Sequence, residues 1–143
     1  MSPDTFGLTL SPRLSELTRV CNALDRYLRE RPLPDIVHNS LLVVTEEVLI
    51  NIVRYGYCDA AADMIEVKVD LENAAVHLEF IDSGKPFNPL KAAGRVAAGR
   101  LVDNREPGRI GIHLVRELTN YQEYTRKADK NHFRITKHIL RPL

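Results

Sequence analysis

The stretch IEVKVDLENAAVHLEFIDSG, residues 65–84, takes up a two-residue hydrophobic period and resumes it after a turn. Ile65, Val67, Val69 and Leu71 alternate with Glu66, Lys68 and Asp70; Val76, Leu78 and Phe80 alternate with His77 and Glu79. Successive side chains on a strand point to opposite faces, so each half reads as a strand with one buried and one wet face. Glu72-Asn73 supplies a turn, which predicts an antiparallel hairpin.

An apolar sheet face must be covered, and the preceding sequence supplies helices. Residues 35–57 are apolar nearly all the way round from Leu41 to Val53, as expected of a buried helix. Before it, Ser11-Pro12 reads as a helix start, with Ser at the N-cap and Pro at the first helical position. Leu14, Leu17, Cys21, Leu24 and Leu28 then make one stripe, and Pro32 and Pro34 end it. A short strand is expected over Thr5–Leu10.

Beyond the hairpin, Ser83 to Gly108 holds four of the seven glycines and three of the eight prolines. A loop of that length in a compact domain is functional or disordered. A helix is expected from Gly111 to about Asn120. Two more strands follow, over 121–127 and 132–140, joined by a turn at Ala128-Asp129-Lys130-Asn131. The pattern predicts an α+β fold, a two-layer α/β sandwich. Its sheet is mixed but mostly antiparallel, with helices on one face. The whole chain, residues 1–143, reads as one domain.

The 20 basic and 19 acidic side chains leave a net charge of +1, which provides no footprint for direct nucleic-acid binding. Cys21 and Cys58 lack metal-ligand spacing and read as reduced thiols. No leader pattern and no membrane span are apparent, so the expected compartment is the cytoplasm.

Three places carry chemistry. Glu47 and Asn51 are four apart and share one flank of the apolar helix. Such a line is either a solvated edge or satisfied pair, or a carboxylate able to take a proton beside an amide oxygen able to ligate Mg²⁺. Asp82 ends a strand and Gly84 follows, which is either an ordinary turn or a carboxylate for an exocyclic amine with glycine letting a flat ring approach. Gly108 and Gly111 flank Arg109 at the start of a helix, whose free amides suit phosphates. Each alone is weak; their order and spacing together are stronger.

Together, Glu47-Val48-Leu49-Ile50-Asn51 with Gly56, Asp82-Ser83-Gly84-Lys85-Pro86-Phe87, and Gly108 to Gly111 resemble the three ATP-site boxes of GHKL (Bergerat-fold) proteins. The Lys85-Pro86-Phe87 ending, and a closing hairpin with Asn131 at its turn, are similar to the anti-sigma-factor serine/threonine kinase branch. The resemblance implies ATP and Mg²⁺ as cofactors, with Asn51 as metal ligand and Glu47 as general base. It implies adenine recognition by Asp82 and Gly84, and phosphate wrapping by Gly108 and Gly111. Arg105 and Arg109 are further candidates for phosphate contacts. The implied partners are a sigma factor, a STAS-domain anti-sigma-factor antagonist and a second copy in a homodimer. Tyr55 stands where this branch often has His, and Arg109 where a small residue is common. A nucleotide-gated binding module without phosphotransfer is therefore the alternative reading.

Overall fold

A computed structural model of the chain describes residues 4–56, 64–72, 74–91 and 111–139. Strands β1 (Asp4–Leu10), β2 (Ile65–Leu71), β3 (Ala75–Asp82), β4 (Tyr121–Lys127) and β5 (Lys130–His138) form one five-stranded sheet, in the order β1-β2-β3-β5-β4. Helices α1 (Leu17–Arg29), α2 (Asp35–Asn51) and α3 (Gly111–Leu118) accompany it.

All four strand pairings are antiparallel, so the expected mixed sheet has no parallel pair among the described residues. The connection after β1 explains part of this. Asp25 of α1 meets His38 early in α2, while Leu17 and Cys21 share a groove with Glu46 near the other end. The two helices thus run out and back, returning the chain to the end of the sheet it left. Leu10 closes β1 opposite Ile65, which opens β2.

The alternation works as the sequence predicts. Val67, Val69, Leu78, Phe80, Phe133 and Ile135 are buried in one core cluster with Val20, Leu24, Leu28, Leu41, Val44, Val48 and Val115. Each such side chain contributes about 1.5–3 kcal/mol on leaving water. On the other face Lys68, Glu79 and Arg134 stand side by side in register, charges alternating across three strands.

Some expectations needed correction. Ser11 does not cap a helix starting at Pro12. A short 3₁₀ turn, Leu14–Glu16, precedes α1, and Glu16 reaches back to accept hydrogen bonds from the Ser11 N–H and hydroxyl at 3.2 and 3.3 Å. The cap-like role has passed to the carboxylate. Consequently Leu14 leaves the apolar stripe at 42% exposure, whereas Val20 and Tyr27 join it. Where α1 ends, Arg31 clamps Asp4 at 2.7 Å and lies over the Tyr27 ring, whose hydroxyl donates to Asp4 at 2.8 Å.

Contrary to the expectation of no membrane-length segment, Asp35–Tyr55 is a 21-residue helical run whose most apolar 18-residue window has a mean hydropathy of 1.5 and is half buried. Its apolar flanks pack inside the fold, against α1, α3 and the sheet. At the β2–β3 turn the Glu72 N–H donates to Ala75 O at 2.9 Å, while Asn73 lies outside the described residues. The last turn is shorter than expected. Only Ala128 and Asp129 leave the strands, both left-handed with φ of 53° and 60°. That is the conformation a two-residue hairpin of the tight, twist-matched type requires. Lys130 and Asn131 therefore belong to β5, and Asn131 is not a turn residue.

Candidate functional site

Asn51 closes α2 and is fully buried. Its Nδ2 donates to the Glu47 carbonyl one turn earlier at 2.8 Å. This bond fixes the amide, and its Oδ1 is left buried with no hydrogen-bond partner among the described residues. An unsatisfied buried acceptor costs roughly 1–3 kcal/mol, so folds seldom retain one without a reason. Directly after Asn51 the chain widens into a π-helical turn, Ile52–Gly56. Such turns are frequent at functional sites.

Glu47 shares that flank but not that depth. It is partly buried and lines an open groove of about 490 Å³ between α1 and α2, with Cys21, Asn22, Asp25, Leu42, Val43 and Glu46. Burial, and secondarily the charge of Glu46, push its carboxyl above the ordinary glutamate value. That makes it a stronger base than a solvated glutamate. Glu46 is exposed. His38 sits 2.7 Å from Asp25 and ties α1 to α2.

Asp82 is the last residue of β3 and only 4% exposed. Its Oδ1 accepts from the Gly84 N–H and from Asn131 Nδ2, each at 2.9 Å. Gly84 is buried, and its carbonyl accepts from the Arg126 guanidinium at 2.8 Å. Asn131 also donates to Lys85 O at 2.9 Å, and its Oδ1 accepts from the Phe87 N–H at 3.3 Å and from the Tyr124 hydroxyl. The closing hairpin therefore grips the segment leaving β3. Asn131 is the residue that sequence reasoning misplaced. The signal was its parity: it shares a face with Phe133 and Ile135, so a polar residue there points inward.

Two of the three predicted segments are linked by rings. Tyr55, one turn past Asn51, stacks on Phe87 with centroids 5.9 Å apart, joining the end of α2 to the stretch after Asp82. The third is represented by Gly111, which opens α3, a helix packed along α2. Arg105, Gly108 and Arg109 lie outside the described residues, as does Cys58.

The helix that carries Glu47 and ends at Asn51 packs with the helix that Gly111 opens, and the Tyr55–Phe87 stack ties its far end to the segment after Asp82. The sequence profile of the histidine kinase-like ATPase domain matches residues 10–137. The chain belongs to this family. A serine/threonine-protein kinase of Bordetella bronchiseptica, BtrW, is 27% identical over 99 residues, which are 69% of each chain. The solved RsbU and RsbW domains of Rv1364c from Mycobacterium tuberculosis share the fold at a TM-score of 0.69 and 18% identity. That match covers 97% of the present chain and 33% of the longer one.

The GHKL architecture carries the capacity to bind ATP with Mg²⁺, and one described side chain fits the cation. The buried Asn51 Oδ1 is a hard oxygen lacking a partner among the described residues, suited to a hard cation. Among the described residues no three His, Cys, Asp or Glu side chains gather into a metal cage. Mg²⁺ commonly takes one or two protein ligands and completes its shell with phosphates and water, and a lone amide fits that mode.

Proposed function

We propose that this ATPase-family domain is an ATP-dependent serine/threonine protein kinase that also binds a sigma factor, and that its substrate is a STAS-domain antagonist of that activity. The observation that carries this reading is the buried Asn51 oxygen, unpartnered among the described residues, one helical turn from a partly buried glutamate of raised pKa. The name of the Bordetella relative adds support for hydroxyl phosphorylation.

In this reading Asn51 holds Mg²⁺, which supplies charge neutralisation along the triphosphate. Asp82 accepts a hydrogen bond from the adenine amino group, Gly84 shapes the same pocket, and Gly108 and Gly111 wrap the phosphates. Arg105 and Arg109 add positive charge there. Glu47 takes the proton from a serine or threonine hydroxyl of the partner. The hydroxyl oxygen bonds to the γ-phosphorus as its bond to the β–γ bridging oxygen breaks, and ADP leaves with that electron pair. Helix mounting of both Glu47 and Asn51 fixes their separation before substrate arrives. The working assembly is a homodimer in the cytoplasm.

Incubation with γ-labelled ATP and a STAS-domain antagonist tests the reading. Label on an antagonist serine or threonine is the expected result. Nucleotide binding without any label transfer overturns the kinase and leaves the nucleotide-gated binding module.

A further inference from the structure

Asn131 is the most fully committed polar side chain in the described fold. A primary amide has two N–H donors and an oxygen with two lone pairs. Both donors are used, on Asp82 Oδ1 and Lys85 O, and both acceptor positions are used, by Phe87 N–H and Tyr124 O–H. The amide orientation is determined by these neighbours, because a carboxylate and a carbonyl can only accept and a backbone N–H can only donate. The side chain is 3% exposed. A serine, threonine or aspartate could not supply two donors and two acceptors from one planar group.

The consequence falls on Asp82. With Oδ1 held between the Gly84 N–H and Asn131 Nδ2, the carboxylate cannot rotate without breaking two charge-assisted bonds. The same amide holds the backbone of Phe87, whose ring rests on Tyr55 beyond Asn51. We infer that Asn131 is the positioning residue that aims Asp82 at the amino group of an adenine base and so sets the base selectivity of the site. The inference rests on the assignment of Asp82 proposed above.

Base selectivity is read by titrating the full chain calorimetrically with ATP and with purine riboside triphosphate, which lacks only the 6-amino group. A wild-type preference for ATP of about 10–100-fold is expected for one hydrogen bond to a carboxylate. In Asn131→Ala the preference falls to within about threefold of unity, while affinity for the amino-free analogue changes by less than about threefold. A merely structural role predicts instead that both affinities fall together, and that result overturns the inference.

Asn131→Asp is a second variant should alanine unfold the chain. It keeps the shape and both acceptor contacts but sets a carboxylate against Asp82. The ATP preference is then lost at neutral pH and returns on acidification, as the two carboxylates come to share a proton. A preference that stays at the wild-type level at neutral pH in either variant overturns the role of Asn131 alone. A wild-type chain that binds ATP but does not distinguish the two nucleotides sinks the Asp82 assignment, and this inference with it.

Discussion

Among the described residues two asparagines are buried, Asn51 and Asn131, and they are used in opposite ways. Asn131 spends every hydrogen-bonding position on the protein, whereas Asn51 is anchored by its nitrogen and its oxygen has no partner among the described residues. The first arrangement is that of a strut, the second that of a ligand. Burial and residue type are the same; only the count of satisfied positions separates them. A satisfied network rigidifies what it touches, while an orphaned buried acceptor is a cost the fold carries for something outside it.

The largest test concerns the neighbour that shares the flank of Asn51. Glu47→Gln keeps the size and removes the base, so label transfer to the antagonist falls by about 10²–10⁴-fold while nucleotide binding is retained. Transfer at the wild-type rate would remove Glu47 from the chemistry.

Matched substitutions then set the asparagines against each other. Asn131→Leu strands Asp82, Lys85 O, Phe87 N–H and the Tyr124 hydroxyl, and is expected to lower unfolding free energy by about 2–4 kcal/mol. Asn51→Leu removes the orphaned oxygen and is expected to leave the nucleotide-free protein within about 1 kcal/mol of wild type, or more stable. Urea unfolding without nucleotide measures both. Equal losses would mean that both are struts, and the contrast would be broken.

The smallest effect is expected far from either residue, at the satisfied carboxylates around α1. Arg19, with help from the Ser11 N–H, holds Glu16 down to about 2 from its ordinary 4.5. Arg31 and then Tyr27 lower Asp4, and His38 lowers Asp25. Because the folded values lie below the unfolded ones, the stability these groups contribute is complete above the unfolded values. It drains as pH falls from 4.5 to about 2. The groups are solvent-screened, so the expected decline in the urea midpoint is shallow. Arg19→Ala should flatten part of it, and a slope unchanged by that substitution would dismiss the Glu16 contribution.

Much of this was legible before any coordinates. The two-residue period at Ile65–Leu71 and Val76–Phe80 reports burial directly, and so it located the sheet and its covered face. Glu47 and Asn51 stood out because polar side chains on an all-apolar helix are conspicuous. Asn131 was less legible: a polar residue after Ala128-Asp129 looks like more turn until left-handed φ values show that the turn needs only two residues. The start of α1 was misread because Ser-Pro is a strong local signal, whereas the Ser11 N–H and hydroxyl are taken up by Glu16, five residues on. Helix apolarity in residues 35–55 could not by itself separate a core helix from a membrane span, since both exclude water. Packing between α1, α3 and the sheet is what decides.

The central claim is that Asn51 presents its oxygen to the cation of a bound nucleotide. Calorimetric titration of ATP into the wild-type chain and Asn51→Leu, each with and without Mg²⁺, tests it most directly. One-site binding that Mg²⁺ tightens in the wild type, with the tightening lost in Asn51→Leu, is the predicted result. Equal tightening in both proteins, or no binding of ATP by the wild type, would contradict the account.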